Sequence, residues 1–230
     1  MGWVRLLPLA MLLVLARDSF ELLRRDFRQW TLEEAVGLLN DSAWAKQVTF
    51  TRVVGGVGSG IRGEKEILNT FYVRILSADP IRKALARVQQ LNHGYDKMAP
   101  AERRRFDALL APGLDVDFGQ WIVLVVTFRS NDAEQENRVS RFFQTETTES
   151  LQNRAFLSTG NFSQIRLAAF YPPRDEGVGA RFVFPRRIDG RPVYERKGLL
   201  VFELDVPAAE PLLVADFPIQ PMIVEGELIL

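Results

Sequence analysis

The stretch Trp30-Thr31-Leu32-Glu33-Glu34-Ala35-Val36-Gly37-Leu38-Leu39 runs through Asn40-Asp41-Ser42-Ala43-Trp44-Ala45-Lys46 into Val48-Thr49-Phe50-Thr51-Arg52-Val53-Val54. Thr31 can accept from the third backbone amide of a helix while Glu34 reaches back, which is a capping box. Leu32, Ala35, Val36 and Leu39 then recur at i, i+3, i+4 and i+7, predicting an amphipathic helix that buries that face. Asn40, Asp41 and Ser42 compete for backbone hydrogen bonds and stop it. The β-branched run that follows predicts a strand. Trp44 sits between Ala43 and Ala45, small residues that let a large ring approach the sheet, so it is expected in the core. A helix handing directly to a strand implies an α+β fold.

The residues further along extend this pattern. Gly58, Gly60 and Gly63 spell G-x-G-x-x-G after the first strand, the form of a dinucleotide fingerprint. Such a site needs a helix to open at the glycines, so that amides face a pyrophosphate. Residues 67–76 are instead β-branched and aromatic, so the glycines read as a hairpin loop. Asp79-Pro80 followed by Ile81, Ala84, Leu85, Val88 and Leu91 predicts a second amphipathic helix, with Asp79 as cap and Arg82, Lys83 and Arg87 on its solvated side. His93 is expected at its end as a capping or loop residue. A third helix is expected over residues 100–110, closed by Pro112-Gly113, with Arg103, Arg104 and Arg105 exposed.

The unbroken run Trp121-Ile122-Val123-Leu124-Val125-Val126-Thr127-Phe128 predicts a central strand covered on both faces. Residues 132–153 read as surface helical turns that bury Val139, Phe142 and Phe143. From there the character changes. Short β-prone runs at residues 165–171, 181–184, 199–205, 212–217 and 222–230 alternate with proline-bearing turns. The fold class expected is α+β, with N-terminal amphipathic helices packed on a sheet and a C-terminal antiparallel meander or half-sandwich. Residues 17–230 are expected to form one domain with a soft boundary near 155–160.

Composition narrows the function. Of 230 residues, 47% are hydrophobic and 25% charged, enough for a substantial core. Lysine plus arginine and aspartate plus glutamate each number 29, so no overall field recruits nucleic acid. Cysteine is absent, which excludes disulfides, thiolate nucleophiles and cysteine-bearing zinc sites. Arg5 followed by the aliphatic residues 6–15 and Val14-Leu15-Ala16 reads as a signal peptide cleaved after Ala16. Retained, the same segment would be an N-terminal membrane anchor.

Trp30-Thr31-Leu32-Glu33-Glu34-Ala35, Ser42-Ala43-Trp44-Ala45-Lys46, the helix entry at residues 77–85, Phe184-Pro185-Arg186 and the closing run at 222–230 together resemble a group of bacterial exported proteins with no assigned activity. The resemblance covers most of residues 30–230 and rests on packing and turn motifs. It implies a periplasmic or secreted location and names no catalytic residue.

Catalytic constellations are scarce. A single histidine and no cysteine rule out a histidine-rich metal centre, and no G-x-S-x-G elbow accompanies His93. Asp115 and Asp117 could share one face of a strand and serve acid–base work, although a solvated turn is the expected reading. Arg186, Arg187 and Arg191 cluster around Asp189-Gly190, where guanidinium groups could grip a small anion, against the simpler reading of a charged hairpin tip. No catalytic residue, metal or cofactor is assigned. The expectation is a non-enzymatic exported or envelope-associated binding or assembly protein, whose partner is a protein or a small anionic ligand. The alternative is a cofactor-free hydrolase using Asp115, Asp117 and Asp189.

Overall fold

A computed structural model describes residues 21–55, 64–174, 179–209 and 212–230. The leader-like residues 1–16 and the glycine motif at 58–63 lie outside the described residues. Thr31 Oγ1 accepts from the Glu34 amide at 3.2 Å and Glu34 returns to the Thr31 amide at 2.8 Å, so the capping box opens helix α1 (Leu32–Asn40). Its buried side chains are Ala35, Leu38 and Leu39, whereas Leu32 and Val36 are exposed. The expected face is therefore rotated. The stripe Ala35, Leu38, Leu39 obeys the same i, i+3, i+4 rule. Arg74, on the next hairpin, caps the end of the helix through the Leu39 carbonyl at 2.6 Å and Asn40 Oδ1 at 3.3 Å. Burial lowers the Arg74 guanidinium from its ordinary value.

Strand β1 (Ala45–Gly55) pairs antiparallel with β2 (Glu64–Ile75) from Ala45↔Arg74 to Gly55↔Glu64. A strand thus follows the glycine motif where a pyrophosphate site requires a helix. Helices α2 (Asp79–Asn92) and α3 (Pro100–Leu114) come next. The residue preceding α2 is Ala78, and Asp79 lies inside the first turn, paired with Lys83 at 2.6 Å. Pro112 stays within α3 instead of ending it: the hydrogen bond its ring removes falls near the helix end, and the Asp115 amide still reaches Ala111 O at 2.9 Å.

Strand β3 (Trp121–Ser130) is followed by α4 (Ala133–Thr145), which buries Val139 and Phe143, and by the short α5 (Thr148–Leu151). Then come β4 (Ala155–Ser158), β5 (Ile165–Arg166), β6 (Ala169–Tyr171) and β7 (Ala180–Pro185). The hairpin β8 (Arg187–Ile188) and β9 (Arg191–Pro192) precedes β10 (Leu199–Leu204) and β11 (Leu213–Pro218). The chain closes with β12 (Ile223–Val224) and β13 (Glu227–Leu228).

The strands form an antiparallel sheet ordered β1-β2-β3-β7-β6 and a second ordered β11-β10-β4-β5. Strand β3 is central, and Ile122 to Val126 are all buried, as an unbroken apolar run requires. The C-terminal strands are antiparallel, as expected, and divide between the two sheets. Residues 165–171 leave the second sheet as β5 and enter the first as β6, while Phe182 and Phe184 of β7 meet Phe202 of β10 at 5.3 and 6.1 Å between ring centroids. One face of the first sheet therefore packs on the second sheet, and its opposite face receives α1 and α2. Gly179 at φ +90° admits β7 beside β3, since a Cβ there would lie 2.7 Å from the Val126 carbonyl.

Two further expectations change. Residues 222–230 form a small hairpin instead of one strand, because Glu225 and Gly226 adopt φ 51° and 84° and reverse the chain. On α2, only Lys83 remains of the solvated cationic face. Arg87 is 4% exposed and grips Asp96 through both terminal nitrogens at 2.9 and 3.0 Å, with Nε on the Trp30 carbonyl at 2.7 Å.

Candidate functional site

Helix α2 presents Arg82, Leu85, Ala86 and Gln89 on one face, and α3 presents Leu110, Gly113 and Leu114. Between them and the first sheet lies a cleft of about 680 Å³. That is within the range of small-molecule sites, about 300–1,000 Å³. Pairing of β3, β7 and β6 puts Trp121, Val123, Val183, Ala169, Arg181 and Tyr171 on its floor. Val116 and Phe118 close the side beyond α3. The lining is mainly aliphatic, yet Trp121, Tyr171 and Val116 each remain 41–47% exposed. Apolar surface has been left open where helix and sheet could have met.

The two arginines of the cleft differ. Arg82 is committed: its terminal nitrogen reaches the Leu76 carbonyl at 3.2 Å and the Ser77 carbonyl at 2.5 Å, and Nε reaches the Leu114 carbonyl at 3.3 Å. It also lies over the Phe118 ring at 5.3 Å. Burial lowers its guanidinium from the ordinary value, with Asp79 opposing and nearby Arg186 reinforcing that shift. Arg82 braces the wall. Arg181 makes no hydrogen bond or ion pair among the described residues, and its guanidinium carbon stands 5.2 Å above the Tyr171 ring.

The arginines singled out in the sequence do not converge on one point. Arg186 donates through Nε to the Trp121 carbonyl at 2.9 Å and through Nη2 to the Leu230 carbonyl, tying three segments together. Arg187 folds back to the Gly190 carbonyl at 2.9 Å, and Arg191 lies 5.6 Å over the Phe162 ring. Asp189 and Gly190, at φ 50° and 74°, make the two-residue turn of the β8–β9 hairpin.

Asp115 follows α3 as its cap, and Asp117 accepts the Gly119 amide at 2.7 Å, so these acids occupy a turn and not a strand. Both are exposed, and the cleft between α2, α3 and the sheet is lined by no carboxylate or histidine among the described residues. No group of three or more potential metal ligands occurs among the described residues. His93 ends α2, its Nδ1 2.8 Å from the Gln89 carbonyl and its ring on Phe106.

A second depression of about 830 Å³ lies between the β1–β2 hairpin and α4, lined by Arg52, Asn69, Gln135 and Arg138 among others. Its Arg138 is paired with Glu134 at 2.9 Å. Ile67, Pro207 and Ala208 line it beside five polar or charged residues, so the more aliphatic α2–α3 cleft is the better candidate for an apolar ligand. Comparison with protein-family models, with curated proteins and with solved structures gives no match. The residue spacing 82, 85, 86, 89 was a visible signal of one helical face. The floor was not, because it depends on β3 pairing with β7, more than 50 residues further along the chain.

Proposed function

We propose that this is a non-enzymatic binding protein, exported or envelope-associated, whose ligand enters the cleft between α2, α3 and the first sheet. The observation that carries the reading is that volume of about 680 Å³, floored and walled by aliphatic side chains and left open in a chain whose remaining apolar residues are otherwise largely packed. Contiguous exposed apolar surface rimmed by charge marks binding sites on folded proteins. Of the carboxylates a hydrolase would use, Asp115 ends α3, Asp117 accepts a turn amide, Asp189 sits in the β8–β9 turn, and none of the three lines this cleft, so no observation favours the enzymatic alternative.

An apolar fluorescent dye such as anilinonaphthalene sulfonate tests the site. One saturable dye per protein, lost in Val116→Glu and Leu114→Glu while both variants stay folded, is the expected result. Dye binding unchanged in both variants would overturn the assignment. Location is tested separately by mass measurement after fractionation of the native host. A species beginning near Arg17 in the envelope or medium is expected, and an intact Met1 form in the cytosol would overturn export.

A further inference from the structure

We infer that the ligand of this cleft is a single-chain amphiphile with an anionic head, a fatty carboxylate, held with its head at Arg181 and its alkyl chain running toward Trp121. The inference rests on the binding function proposed above and adds the chemistry of the occupant.

The strand register gives the direction. Trp121 and Val123 of β3 lie on the floor, and Val125 is the next residue on the same face of that strand. Val183 stands opposite Val123, and Arg181 opposite Val125. Tyr171 of β6 stands opposite Arg181. From the Trp121 row to the Arg181 row is four residues of strand, about 13 Å. Over that length the floor carries apolar side chains and one cation, and the cation is at one end.

Charge selects the head. Arg181 is the cleft guanidinium with no hydrogen-bond or ion-pair partner among the described residues, while every nitrogen of Arg82 faces a backbone carbonyl or Asp79. A planar guanidinium matches a carboxylate with two parallel hydrogen bonds, and its position over the Tyr171 ring already limits the rotamers it would lose on binding. Among the described residues no acid lines the cleft to compete for it. The lining selects the tail. A peptide would bring N–H and C=O groups against Leu85, Leu110, Leu114, Val123 and Val183, side chains that offer them no partner, whereas an alkyl chain brings none.

Titration calorimetry with dodecanoate below its micelle concentration tests the inference. Dodecanol, dodecyltrimethylammonium, acetate and phosphatidylglycerol vesicles serve as comparison arms, and Arg181→Met, Arg181→Lys and Arg187→Met as variants. The expected result is saturable one-to-one binding of dodecanoate, about ten- to a hundredfold tighter than dodecanol, with no binding of acetate. Arg181→Met should remove that preference while leaving dodecanol binding intact, Arg181→Lys should restore part of it, and Arg187→Met should behave as the parent. Equal binding of dodecanoate and dodecanol, or a preference for the cationic amphiphile, overturns the anionic head but leaves the cleft as a binding site. Absence of binding by every alkyl ligand overturns both. Binding to the vesicles without binding to dissolved dodecanoate overturns the free carboxylate in favour of a membrane surface.

Discussion

The indole Nε1 of Trp44 donates to the carbonyl of Ile229 at 2.6 Å, joining residues 185 positions apart. Trp44 is 1% exposed and leads into β1, so one side chain fastens the start of the first sheet to the C-terminal hairpin. Trp44→Ala should cost about 3–5 kcal/mol. Trp44→Phe keeps most of the apolar volume and should cost about 1–2 kcal/mol, through the unpaired carbonyl. Urea denaturation measures both, and an unchanged midpoint for Trp44→Ala would remove it from the core.

Arg87 and Lys83 share a helix but have opposite surroundings. Arg87→Met deletes a buried cation and orphans the Trp30 carbonyl, for a loss of about 2–4 kcal/mol. Lys83→Met at a side chain 41% exposed should change stability by less than about 0.5 kcal/mol. The paired denaturation curves check the contrast.

Stability should fall at both pH extremes. Glu34 is held below the usual carboxylate value chiefly by the Thr31 backbone amide, and Asp96 chiefly by hydrogen bonds from Arg87. Groups depressed in the folded state contribute stability above their unfolded value, near pH 4, and lose it as pH falls through the lower folded value. Burial, then the bond to Asp107, raises Tyr95. Its contribution is present below about pH 10 and is lost above it. Thermal melts from pH 2 to 11 should show a plateau between these limits, with the acid limb shallower in Asp96→Asn.

Asp107 gathers Gln90 Nε2 at 3.0 Å, Tyr95 Oη at 2.8 Å and Arg28 Nη2 at 3.5 Å. Asp107→Ala should cost about 1–2 kcal/mol and accelerate amide exchange in α3 more than in β3. Equal protection changes in the two elements would show that Asp107 does not hold the helix.

Among the hairpin arginines, only Arg186 is expected to matter for stability. It bridges the Trp121 and Leu230 carbonyls, so Arg186→Ala should cost about 1–2 kcal/mol. Arg187→Ala should stay within about 0.5 kcal/mol. Similar midpoints for the two variants would contradict this division.

What could be read in advance was local. The Thr31–Glu34 box, the unbroken β3 run and the Asp189-Gly190 turn each depend on residues within about ten positions of one another, and all three form. The burial of Arg87 depends on Trp30, 57 residues away, and nothing in the spacing of α2 distinguishes it from Lys83. Arg181 belongs to the cleft only because β7 pairs with β3 and β6 together. The Glu225-Gly226 reversal did carry a local signal, a glycine after a polar residue, inside a run whose apolar character suggested a single strand.

Helix α3 carries no fully buried side chain, and Leu109 on it is 77% exposed. Its apolar residues Leu110 and Leu114 face the cleft, so the contacts that would bury them belong to whatever fills it. Occupancy and docking of α3, which Asp107 also anchors, are then coupled equilibria. Melting temperature should climb with ligand concentration, and apparent affinity should scale with the fraction of molecules in which the helix is seated. A substitution on the outer side of α3, remote from any ligand atom, would tune affinity by changing how often the wall is in place.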